Sequence, residues 1–82
     1  TVALDEALGD YGEAQSLQAY NERTQEVYQS VMSLEEKYAI PVYLYYYEGY
    51  TTGEIATMLD TKPSTIQTRL AKARELLKLE LE

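Results

Sequence analysis

The sequence contains no cysteine and no histidine. Without cysteine, neither a disulfide nor a thiolate-bound metal reinforces the fold. Without histidine, the commonest general base and the commonest metal ligand are both missing. Phenylalanine and tryptophan are absent too, so the aromatic surface comes from nine tyrosines alone. No apolar run approaches the roughly 20 residues that a membrane-spanning helix needs, and no signal-peptide pattern is visible. There is no Gly-rich phosphate loop and no nucleophile with a base beside it. These absences argue against an enzyme, a metal or cofactor site, a small-molecule substrate and a membrane partner. A cytoplasmic chain is the expectation. At 82 residues it forms at most one small domain, which buries only about 60% of the surface its unfolded chain exposes.

What is present is unevenly distributed. The net charge is −7, yet residues 61–79 carry five bases and one acid, a balance of +4. Residues 1–60 carry 11 acids and two bases, a balance of −9, and Glu80 and Glu82 supply the last −2. A ligand that docks on one face responds to the local field, not to the total. Residues 1–16 read as an acidic linker or tail, with Gly9 and Gly12 disfavouring a regular helix. The alternative reading of that stretch is an autoinhibitory arm lying over the basic segment.

From residue 17 the pattern is helical, and no strand pattern appears. Leu17, Tyr20, Thr24, Val27, Tyr28 and Val31 share one face and predict a first helix to about Met32. Ser33 and Glu36 fit a capping box that opens a second helix, running to Gly49 with a bend at Pro41. Thr51 and Glu54 form a second capping box, opening a third helix to about Leu59. Asp60, Thr61 and Lys62 make a turn, and Pro63 suits the first turn of a fourth helix reaching about Leu79. The tyrosines are expected in the core, with Tyr50 filling the gap between the second and third helices. Tyr43 or Tyr45 is expected to be the most exposed. The other use for such tyrosines is stacking on unpaired bases.

On a helical wheel, Ile66, Leu70, Ala73 and Leu77 share a narrow sector that must face Ile55, Ala56 and Leu59. The opposite sector holds Ser64, Thr68, Ala71 and Glu75. Gln67, Arg74 and Lys78 flank it on one side, and Thr65, Arg69 and Lys72 on the other. Small and polar residues at the centre let the backbone approach base edges in a major groove about 12 Å wide. Gln67 suits adenine, Lys72 suits guanine, and the Ala71 methyl suits that of thymine. Flanking cations suit phosphates on the groove walls. Glu75 would be repelled there, so the first two turns should enter the groove. The expected fold is all-α: a small four-helix domain over residues 17–82, with a C-terminal helix-turn-helix and no wing.

The sequence also resembles region 4 of bacterial RNA polymerase sigma factors, of the extracytoplasmic-function type. The likeness rests on LEEKY from Leu34, YYYEGYT from Tyr45, EIA from Glu54, STIQTRL from Ser64, and Ala73-Arg74. It covers about three quarters of the chain. The resemblance implies a module that binds double-stranded promoter DNA at the upstream (−35) element and docks on the β-subunit flap of the polymerase core. An anti-sigma factor is an implied regulatory partner. By the same likeness Gln67, Thr68, Ala71 and Lys72 face bases, and Arg69 and Arg74 face phosphates; the residue pattern adds Ser64 to the base-facing set and Lys62, Thr65 and Lys78 to the phosphate-facing set. Residues 1–16 would then be the end of a linker within a longer sigma factor.

Four positions depart from that pattern. Asp60 stands where glycine is usual, which strains a left-handed turn unless its side chain bonds locally. Lys62 replaces a Ser cap, weakening the start of the fourth helix by about 1 kcal/mol. Gln67 stands where Lys or Arg is common, and Ala39 replaces a frequent Arg. Two other readings compete with the sigma module. One is a stand-alone dimeric helix-turn-helix regulator, and the other a protein-interaction module that has lost DNA binding.

Overall fold

The computed structural model describes Leu4 and residues 17–81. The order is α1 (Leu17–Ser33), α2 (Glu36–Val42), a π-helical turn (Tyr43–Tyr47), α3 (Thr52–Met58) and α4 (Pro63–Leu81). No strand occurs among the described residues, and the domain is all-α with four helices, as the patterning predicts. The expected linker at residues 1–16 lies outside the described residues except for Leu4, which is buried in the core.

The longest helix, α4, is the centre of the domain and packs against α1, α2 and α3. Its inner face is the predicted one: Ile66, Leu70, Ala73 and Leu77 are all buried. They meet Val27 and Val31 from α1, Val42 from α2, and Ile55 and Ala56 from α3 in one cluster. Leu59 packs against its edge. Burying a Leu or Ile side chain contributes about 1.5–3 kcal/mol, so this seam is the main source of stability.

The start of α2 differs from expectation. Ser33 does not cap it: Ser33 is the last residue of α1, and its hydroxyl donates to the Ser30 carbonyl at 2.8 Å. The same hydroxyl lies 3.4 Å from Glu80 Oε1 on α4. Glu35 is the N-cap residue, with no side-chain cap bond. A serine hydroxyl that bonds back into its own helix is unavailable to the next one.

Pro41 is buried inside α2. It has no amide proton for the Lys37 carbonyl. Two residues later the bonding register widens, and the Glu48 amide donates to the Tyr43 carbonyl at 3.2 Å, five residues back. A π turn thus follows the proline, a register change common beside functional sites. Gly49 then ends the segment at φ 81°, a left-handed angle that glycine adopts without penalty. The Tyr50 amide closes the end on the Leu44 carbonyl at 3.0 Å.

Tyr50 does not plug the gap between α2 and α3. It is exposed, as are Tyr28 and Tyr47, while Tyr43 and Tyr45 are half-buried. Tyr38, Tyr45 and Tyr46 pack against the core rim. The widened turn rotates this run relative to an α-helix, so a wheel drawn through it misassigns the exposed rings. Tyr47 stacks on Tyr43 at 5.6 Å and meets the edge of Tyr28, also at 5.6 Å.

Candidate nucleic-acid interface

The helix-turn-helix is built by three local devices. At the start of α3 the Thr51 hydroxyl accepts from the Glu54 amide at 3.1 Å, and the Glu54 carboxylate accepts from the Thr51 amide at 2.9 Å. The predicted capping box is complete. The bond from the Thr51 amide, followed by that to its side chain, holds the Glu54 carboxyl below the usual glutamate range.

At the other end of α3 the Thr61 amide donates to the Ala56 carbonyl at 2.8 Å, and the Asp60 amide to the Thr57 carbonyl at 3.3 Å. That is the Schellman closure, whose left-handed residue is usually glycine. Here it is Asp60, at φ 56°. No side-chain hydrogen bond offsets its strain among the described residues, as the sequence departure anticipates.

The third device starts α4. The Lys62 carbonyl accepts from the Thr65 amide at 3.0 Å and the Ile66 amide at 3.2 Å. The Lys62 side chain has no acceptor atom, so it cannot cap the remaining Ser64 amide. Pro63 contributes no amide proton.

With its inner face buried, α4 presents Ser64, Gln67, Thr68, Ala71 and Lys72 to solvent. Lys62 and Lys78 are exposed as well, and Thr65, Arg69 and Arg74 are half-buried. The Thr68 hydroxyl donates to the Ser64 carbonyl at 3.0 Å, which leaves its oxygen free to accept. Ala71 opens a low place between Gln67, Lys72 and Glu75, suited to close approach of a groove edge.

Arg74 stands apart from the other cations. Its Nη1 donates to the Tyr46 hydroxyl at 3.2 Å. The two residues line a cleft of about 430 Å³ between the π turn and α4, together with Tyr45, Tyr50, Gln67 and Leu70. Thr51 and Thr52 also border it. A wheel of α4 alone misses this cleft, because the tyrosines reach it only through the widened register of the π turn. The clustering of five tyrosines between residues 43 and 50 is the one trace of it in the sequence.

The outward polar face, the buried inner face and the short Schellman turn together make a helix-turn-helix. The sequence matches the family described as Sigma-70, region 4, over residues 24–77. The chain belongs to the sigma-70 region 4 family. No curated protein and no solved structure matches it. The match takes in α2, the π turn, α3 and most of α1 and α4. The region 4 family is one of non-enzymatic, DNA-binding modules that interact with RNA polymerase. Among the described residues, no helix of this region 4 domain is long and apolar enough to cross a membrane.

Proposed function

We propose that this domain is the promoter-recognition module of a sigma factor. In this reading α4 lies in the major groove of the upstream (−35) element and a second surface docks on the polymerase β-subunit flap. The observation that carries it is the outer face of α4. Its first two turns are exposed, small or polar, and free of acids, on a helix whose other face is fully buried. Ser64, Gln67, Thr68, Ala71 and Lys72 are the base-facing set. Lys62, Thr65, Arg69, Arg74 and Lys78 are the phosphate-facing set. Residues 17–82 act as the working domain, and the acidic residues 1–16 lead into it, with Leu4 buried in its core. The site of action is the cytoplasm, and an anti-sigma factor is a regulatory partner.

The flap surface in this reading is the apolar groove of about 320 Å³ lined by Tyr28, Met32, Ala39, Ile40, Tyr43 and Leu44. Met32 and Ile40 are exposed there without a polar function of their own. Support comes from its lining, which α1, α2 and the π turn supply and to which no residue of α4 contributes.

The test is a duplex titration over a salt series. Four cations on phosphates would make log affinity fall with log salt at a slope of about −3.6, at about 0.9 per contact. Arg69→Glu with Lys72→Glu should abolish that binding and transcription from the target promoter. Transcription that survives the double reversal would favour the protein-interaction reading.

A further inference from the structure

The cleft between the π turn and α4 holds a cation in an unusual setting. Arg74 is half-buried, and among the described residues no carboxylate pairs with it. Instead its guanidinium is pinned at one nitrogen by the Tyr46 hydroxyl. Arginine has five N–H donors in a rigid fork, so four remain for a ligand. The Tyr46 hydroxyl accepts from Arg74 and still has its own proton to donate. Tyr50, which carries a hydroxyl, and Gln67, which carries an amide, line the same space. A half-buried cation beside hydroxyl and amide side chains, with no carboxylate among the described residues to pair with it, suits an anion whose several oxygens can each take a hydrogen bond. A carboxylate offers two such oxygens. A phosphate offers more and matches the arginine fork equally well.

We infer that Tyr46 is a positioning residue: in this cleft it holds Arg74 ready for the phosphate contact that the proposed function already gives that arginine. Resting on the DNA-binding reading above, the phosphate is a diester of the DNA backbone, because Gln67 belongs both to the cleft and to the outer face of α4. Tyr46 then acts before binding. A free arginine must order several side-chain torsions when it meets a phosphate, at a cost in entropy. An arginine already tethered through Nη1 has fewer left to order. The π turn is part of the device, since its extra residue per turn sets which tyrosine reaches α4.

Anisotropy titrations of the full chain with a promoter-like duplex, across a salt series, test this with Tyr46→Phe, Arg74→Gln and the double variant. Arg74→Gln should make the slope shallower by about 0.9, one phosphate contact. Tyr46→Phe keeps the ring, so thermal unfolding should stay close to wild type, while affinity falls roughly three- to tenfold. The double variant should bind no worse than Arg74→Gln alone, since Tyr46 works only through Arg74. Wild-type binding by Tyr46→Phe, or losses that multiply in the double variant, would overturn the positioning role while leaving DNA binding in place. An unchanged slope in Arg74→Gln would overturn the phosphate site in the same way. Inorganic phosphate, followed by the Arg74 Nε–H NMR signal, separates this from failure of the DNA reading. If no duplex binds at any salt, a saturable shift that Arg74→Gln abolishes establishes a free-phosphate site. No shift overturns the cleft as well.

Discussion

Asp60 is the position where the structure gives the sharpest quantitative expectation. Its φ of 56° lies in the left-handed region, where an L-residue carries a penalty on the order of 1–2 kcal/mol and Asp is among the least penalised. Asp60→Gly removes that strain. Glycine's greater freedom in the unfolded chain takes back roughly 0.4–1 kcal/mol. Asp60 also precedes Pro63 by three residues, so its charge can interact favourably with the N-terminal end of α4. Asp60→Asn separates the two effects, because Asn keeps the tolerance for left-handed backbone and loses the charge. Glycine should exceed Asn by about 0.5–1 kcal/mol, and Asp60→Ala should fall below both by about 1 kcal/mol. In a domain of this size 1 kcal/mol moves the melting point by about 4–8 °C. The Gly variant should therefore melt about 2–8 °C above the Asn variant when followed by far-UV circular dichroism. Equal melting points for Gly, Asn and Ala would refute the reasoning, because they would show that the Schellman closure bears no strain at this residue.

Four other outcomes follow from the same structure. Gly53→Ala should stabilise the domain by about 0.5–1 kcal/mol in urea melts, since an added Cβ meets only Thr51 Oγ1 at 3.9 Å and a helical glycine costs about that much. Ile66→Ala empties part of the seam between α4 and the other helices and should cost about 2–5 kcal/mol by chemical denaturation. Tyr43 should ionise above the ordinary tyrosine range, chiefly because its hydroxyl is hydrogen-bonded to Glu48. That bond's support is present below the ordinary tyrosine pKa and is lost as pH rises through the raised value. Absorbance at 295 nm should show Glu48→Gln moving the titration back toward the ordinary tyrosine range. The Glu54 carboxyl, depressed by the Thr51 amide, should support α3 above the ordinary glutamate range and release that support as pH falls through its lowered value. Glu54→Gln should flatten this acid limb of the stability profile.

Much of this domain is legible in the sequence because its signals are local. The Thr51–Glu54 capping box needs only four residues, and it forms as read. The turn at Asp60 is left-handed where the usual glycine is missing. The buried stripe of α4 follows from a 100° wheel, because that helix is regular along its length. The Ser33 reading fails for an equally physical reason. A serine followed three residues later by glutamate can start a new helix or finish the old one, and the choice falls to whichever carbonyl the hydroxyl reaches. Here that is Ser30.

The division between what the chain alone determined and what the fold decided lies at Pro41. Before it and after Gly49, helix type and inner faces follow from residue order, as do the caps other than the one expected at Ser33, since each depends on neighbours three or four positions away. Between those points the bonding register widens to five residues at Tyr43–Tyr47. Tertiary packing sets that register, because a π turn has no strong local signature. Which tyrosines are exposed, and that Tyr46 meets Arg74 at 3.2 Å across 28 residues, therefore belong to the tertiary structure. The sequence by itself determined a helix with one apolar, buried face and one polar, basic face. Only the packing of α4 against the π turn decided which of its cations is free and which is held.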